Sequence, residues 1–143
     1  MKIIKTKKYA QLKKDLSSLK NVVQSYIDFL DTRPFKENEW LNDQIKTFFE
    51  VLLDGLRVEE LFYDKLTEKG IGRMDRDIAQ YLQNIQPLPE GAEEDKVNFI
   101  REVFNLYYDN SHPVKNNFFY MDAIPEVNEW LDKNSKARNY GRR

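Results

Sequence analysis

The chain of 143 residues contains no cysteine and a single histidine, His112. Those two absences exclude disulfide scaffolds, thiolate zinc sites, a catalytic thiol and any site that needs two imidazoles. Glycine is scarce too. None of the five falls in a GxGxxG, GxxxxGK[ST] or GxSxG arrangement, so neither a phosphate-cradling loop nor a nucleophile elbow is expected. Gly70-Ile71-Gly72-Arg73 comes nearest and reads as a turn between helices. Long apolar runs are missing as well. The longest, around residues 48–56, is broken by Glu50, Asp54 and Gly55. The opening MKIIKTKK lacks the apolar core of about 7 to 15 residues found in a secretory signal. A cytoplasmic, non-membrane protein is the expectation, or a virion component if the chain is of phage origin.

What the chain does contain is 41% apolar, 33% charged and 13% aromatic residues, the composition of one ordered, highly charged helical domain. Its clearest signal is a stripe. Tyr9, Leu12, Leu16, Leu19, Val23, Tyr26 and Leu30 follow one another at alternating steps of three and four. A helix turning once per about 3.6 residues keeps such positions on one face, the seam spacing of coiled coils and bundles. The first helix is expected over residues 8–32, its C-terminal half the more buried because Val22, Ile27 and Phe29 widen the stripe. Arg33 before Pro34 stops it, since the residue preceding a proline is pushed out of the α region.

From Glu37, the positions Leu41, Ile45, Phe48, Leu52 and Leu56 repeat the pattern, with Phe49 and Leu53 beside them. The rival reading is a β-hairpin turning at Asp54 and Gly55. Because Glu59, Glu60, Leu61, Phe62, Lys65 and Leu66 continue in helical order, a helix with a break or kink at Gly55 is preferred. Gly70 suits a helix C-cap. A short helix follows over residues 75–83, with Ile78, Leu82 and Ile85 on one face, and then the stiff linker Pro-Leu-Pro-Glu-Gly at 87–91. Glu93, Glu94 and Asp95 open the next helix with the charge its N-terminus favours, and Val97, Ile100, Phe104 and Tyr107 continue it until about Asp109. Residues 114–123, with the aromatic run Phe118, Phe119, Tyr120 and Met121, carry no readable period. A last helix starts near Pro125, with Val127, Trp130 and Leu131 inward.

The expectation is therefore an all-α, single-domain bundle of five or six helices with basic extensions at both ends. It divides into a basic arm at 1–7, a helical body at 8–86, the linker at 87–91, C-terminal helices at 92–132 and a basic tail at 133–143. The net charge of −1 conceals strong segregation: residues 1–20 carry +6 and residues 133–143 carry +5, leaving −12 for residues 21–132. An acidic middle between basic ends can pair head to tail with copies of itself, or present its ends to an acidic partner. Short solubilising tails are the plain alternative.

Candidate chemistry is thin. His112 beside Ser111 lies in an Asn-Ser-His-Pro turn with no oxyanion loop. Helical RNases that pair an arginine with a histidine a few residues on are a poor fit, as Arg101 is eleven positions away. Glu60, Asp64 and Glu68 would share a helix face, yet Arg57, Lys65 and Lys69 are interspersed, the pattern of a solvated surface. Glu94-Asp95-Lys96 lacks the strand of a nuclease, and Asp75-Arg76-Asp77 reads as helix capping. No catalytic, metal or cofactor residue is assigned. The partner-binding candidates are basic: Lys2, Lys5, Lys7 and Lys8 at one end, and Lys136, Arg138, Tyr140, Arg142 and Arg143 at the other. They suit protein partners in a homo- or hetero-oligomeric assembly, or nucleic acid held through phosphates.

The function expected is a non-enzymatic assembly or interaction subunit. Residue usage rich in Lys, Asn, Ile and Tyr suggests a phage or mobile-element particle component of connector or tail-assembly type. The alternatives are a small helical inhibitor of a host protein or nucleoprotein, and a nucleic-acid binder acting through the basic ends. With His112 in a turn, His112→Ala is expected to leave biological activity largely intact; loss of a measured turnover with fold and assembly unchanged would return the chain to the enzymes.

Overall fold

The computed structural model of the protein describes residues 2–68, 84–109 and 124–135, with the side chains of 2–9, 67 and 107–109 excepted. Among the described residues every regular element is an α-helix: α1 (Lys2–Asp31), α2 (Glu39–Leu61), α3 (Tyr63–Glu68), α4 (Glu93–Asp109) and α5 (Pro125–Asn134). The expected short helix at 75–83, its Ile78 and Leu82, the Gly70 cap, the turn at His112 and the aromatic run at 118–121 lie outside them.

Helices α1 and α2 pack antiparallel. Lys20 reaches Glu60 at one end of the pair, while Asn42 and Lys46 meet Leu30 and Asp31 at the other. The three-four stripe forms the inner face of α1: Leu16, Leu19, Val23, Tyr26 and Leu30 are buried, and Leu12 is half-buried at its edge. Ile27 joins them, with Val22 and Phe29 at the margin, so the C-terminal half is the more buried as the wider stripe requires. The side chain of Tyr9 is outside the described set.

Three differences from the sequence reading have physical causes. Helix α1 begins at Lys2 rather than Lys8, because no proline or glycine stands in residues 2–8 and each residue added to an existing helix gains a backbone bond without needing a buried face. Helix α2 runs through Gly55 without a break. Gly55 is buried between Asp54 and Leu56, so packing on this helix outweighs the roughly 1 kcal/mol that glycine costs. The interruption comes instead at Phe62, whose N–H caps the Val58 carbonyl at 2.9 Å before α3 starts at Tyr63.

The main core joins α1, α2, Phe35, Ile85 and Ile100, Val103 and Phe104 of α4. Near-perpendicular aromatic contacts run through it: Tyr26 against Phe49 at 5.1 Å and Phe99 at 5.9 Å, then Phe48 against Phe49 and Phe104, both at 5.2 Å. Such edge-to-face pairs add about 0.5–1.5 kcal/mol each beyond area burial. A second cluster, Val58, Leu66, Ile124, Val127 and Leu131, seats α3 and α5 on the C-terminal end of α2, with Phe62 and Trp130 at its rim.

The Pro-rich segment before α4 is held against this body. Ile85 is buried, the Tyr26 hydroxyl donates to the Gln86 carbonyl and Leu88 packs on the core. Gly91, at φ +119°, supplies the left-handed turn into α4 that a residue with a Cβ adopts only with strain. Replacing Leu16 and Leu19 together with Asp is expected to unfold the domain, since each buried Leu is worth on the order of 1.5–3 kcal/mol before the cost of burying charge. Tyr26→Phe, which removes one hydrogen bond and no volume, is expected to cost about 0.5–1.5 kcal/mol in urea denaturation; a parental midpoint for both variants would refute this account of α1.

Candidate functional site

An open concave feature is built at the corner between α1 and α2. Arg33 takes a left-handed φ of +56°, its N–H bonded to the Leu30 carbonyl at 3.0 Å, and Pro34 prevents the helix from resuming. The chain then tucks Phe35 into the core and starts α2 at Asn38, whose side-chain oxygen accepts the Leu41 N–H at 3.0 Å. A buried amide ties the corner together: Asn42 Nδ2 donates to the Leu30 carbonyl at 3.2 Å and its Oδ1 accepts the Phe35 N–H at 3.4 Å. One side chain thus pairs the Phe35 N–H and adds a second bond to the Leu30 carbonyl, which already accepts from Arg33.

Against this corner lies the N-terminal half of α4, and between them runs a groove of about 550 Å³. Phe35, Leu41 and Val97 give it an apolar component, Lys36, Glu37, Glu93, Glu94 and Asn98 a polar rim, and the Arg101 guanidinium lies over the Phe35 ring at 5.2 Å. Trp40, on the first turn of α2 and next in sequence to the lining residue Leu41, is 68% exposed, although aromatic rings of its size are ordinarily among the more buried. Sequence reading missed this site. Its one linear trace was Trp40, which stands off the apolar stripe of α2.

A second polar cluster lies inside the fold. Glu50 and Asp54, one turn apart on α2, are 4% and 3% exposed. Lys46 Nζ bridges Asp31 at 2.6 Å and Glu50 at 3.9 Å, and Arg57 lies 4.0 Å from Asp54. Glu50, Asp54 and Arg57 line a crevice of about 40 Å³ with Gln24 and Ile27 of α1 and Asn134 at the end of α5. Flanking cations are what buried carboxylates require. No group of three or more acidic or imidazole side chains that would hold a metal occurs among the described residues.

The acidic row at the end of α2 is divided by the break at Phe62. Glu59 is buried, Glu60 is held by Lys20 at 2.6 Å, and Asp64 and Glu68 are exposed on α3, where Lys65 pairs with Glu126 at 2.8 Å. Glu60, Asp64 and Glu68 therefore belong to two helices rather than one continuous face. Of the basic candidates, Lys2, Lys5, Lys7 and Lys8 belong to the first turns of α1, their side chains outside the described set, and Lys136, Arg138, Tyr140, Arg142 and Arg143 lie beyond the described residues.

No protein-family model, curated protein or solved structure matches the chain. Asn42→Ala is expected to destabilise the domain by about 1–3 kcal/mol, because it takes the amide from the Phe35 N–H and leaves the Leu30 carbonyl only its bond from Arg33. Chemical denaturation measures this, and an unchanged midpoint would show that the corner does not depend on Asn42.

Proposed function

We propose that the protein is a non-enzymatic assembly subunit that receives a partner protein in the groove between the α1–α2 corner and α4. One observation carries the reading: an open groove combines apolar side chains with a charged rim, and a large aromatic ring, Trp40, stands exposed next in sequence to its lining residue Leu41. Exposed Trp and Arg beside a concavity are the composition of interaction hot spots, where large rigid side chains become buried only in a complex. The acidic residues on the rim disfavour phosphate, which leaves any nucleic-acid contact to the basic ends.

The particle to which the subunit belongs is of phage or mobile-element type on this reading, in a connector or tail-assembly role. Residue usage supports that assignment, together with the segregation of charge that lets copies meet in series. A one-to-one complex with a single host protein would instead mark an inhibitor.

A photo-crosslinking residue placed at Asn98, inside the groove, tests the proposal in the full chain expressed in its native host. The expected result is a ladder of adducts of regular mass that Trp40→Ala reduces at least tenfold, about 1.4 kcal/mol or more of binding energy. The same residue at Ser17, exposed on α1, serves as the control. Adducts no stronger at Asn98 than at Ser17 would remove the groove as an interaction site.

A further inference from the structure

Helix α1 carries its charges against its own dipole at both ends. Lysines 2 and 5 stand in or next to its first turn, where no acidic residue occurs, and Asp28 and Asp31 close a last turn with no basic residue. Backbone N–H groups make a helix start positive and its end negative, so both placements are unfavourable in an isolated helix. Lys7, Lys8, Lys13 and Lys14 extend the basic end over four turns. The acidic end meets Lys46 of α2 within the same chain, 2.6 Å from Asp31, and the basic end gains a rationale if it too meets opposite charge outside the helix.

The groove supplies that charge. Glu37, Glu93 and Glu94 line it with two cations, Lys36 and Arg101, the latter over the Phe35 ring, and exposed Glu90 and Asp95 lie close to Glu93 and Glu94 in sequence. The apolar part of the groove, Phe35, Leu41 and Val97, suits a segment that also carries apolar side chains, and the basic end has Ile3 and Ile4 among its lysines. The two cannot meet within one molecule. Thirty residues at about 1.5 Å each make α1 about 45 Å long, and the groove starts just past its far end, at Pro34.

Building on the groove as the interaction site, we propose that its occupant is the basic first turns of α1, residues 2–8, from a second copy of this chain. The contact is head to tail: each molecule offers its lysine-rich helix end to one neighbour and its acidic groove to another. Such heterologous contacts do not pair off in twos and generate a ring if the rotation closes or a filament if it does not.

Sedimentation velocity of the full chain, over a concentration series at low and high salt, tests this with charge exchanges. The parent is expected to form species larger than a dimer that high salt dissociates. Lys5→Glu with Lys8→Glu, and separately Glu93→Lys with Glu94→Lys, are each expected to lose those species. An equimolar mixture of the two variants, and one chain carrying all four changes, should regain them, a recovery that misfolding of either variant cannot produce. Deleting residues 136–143 should leave assembly at the parental level. A parent that stays monomeric, variants that assemble like the parent, a mixture that fails to recover, or assembly lost with the C-terminal residues would each overturn the proposal. If the Asn98 crosslink then still captures a different protein in a Trp40-dependent manner, the groove remains an interaction site and only the identity of its occupant is refuted.

Discussion

Enclosure of α2 on more than one side is the constraint on which the rest of the structure depends. Twelve of its 23 residues are buried, a larger share than a single apolar stripe provides, because α1 and α4 cover it toward Phe49, Leu52 and Leu56 while α3 and α5 cover it at Val58. Both apolar clusters draw on this helix. Gly55 stays helical there, and the aromatic contacts of Phe48 and Phe49 link α1 and α4 through it. A helix enclosed in this way also loses its solvated face, so Glu50 and Asp54 are carried inside and Lys46 and Arg57 accompany them.

The groove follows from how α2 is joined to α1. A left-handed residue, a proline and a buried Asn42 amide hold the connection in one shape, and Phe35 fastens it to the core. The Pro-rich segment, fixed by the Tyr26 hydroxyl and turned by Gly91, delivers α4 to the opposite wall. The walls therefore belong to helices and a hydrogen-bonded turn, and on the proposed reading a partner would be received with little ordering cost. Trp40 is left outside the apolar stripe by the phase of α2, whose buried positions begin at Asn42.

The assembly reading connects these features to the charge pattern. A basic helix end about 45 Å from an acidic groove is a poor intramolecular arrangement and a workable repeating one. Its electrostatic part would be sensitive to salt, whereas the apolar component of the groove supplies a part that is not. Specificity would rest on both, since charge alone selects sign and apolar shape selects the segment.

The sequence by itself determined the helical class, the inner face of α1 from Leu16 to Leu30, the start of α4 at its acidic turn and of α5 at Pro125. Each is a local matter of period, capping or proline geometry, which a linear reading can follow. It also made the exposure of Asp64 and Glu68 legible, because interspersed lysines mark a solvated surface. Only the tertiary structure decided that Gly55 would not end its helix, that Glu50, Asp54 and Glu59 would be buried, and that Asn42 would hold the corner from which the groove is built. Those outcomes depend on which other helix covers a given residue. A carboxylate or an amide has the same local signature in water as in a core, and packing between segments distant in sequence makes the difference.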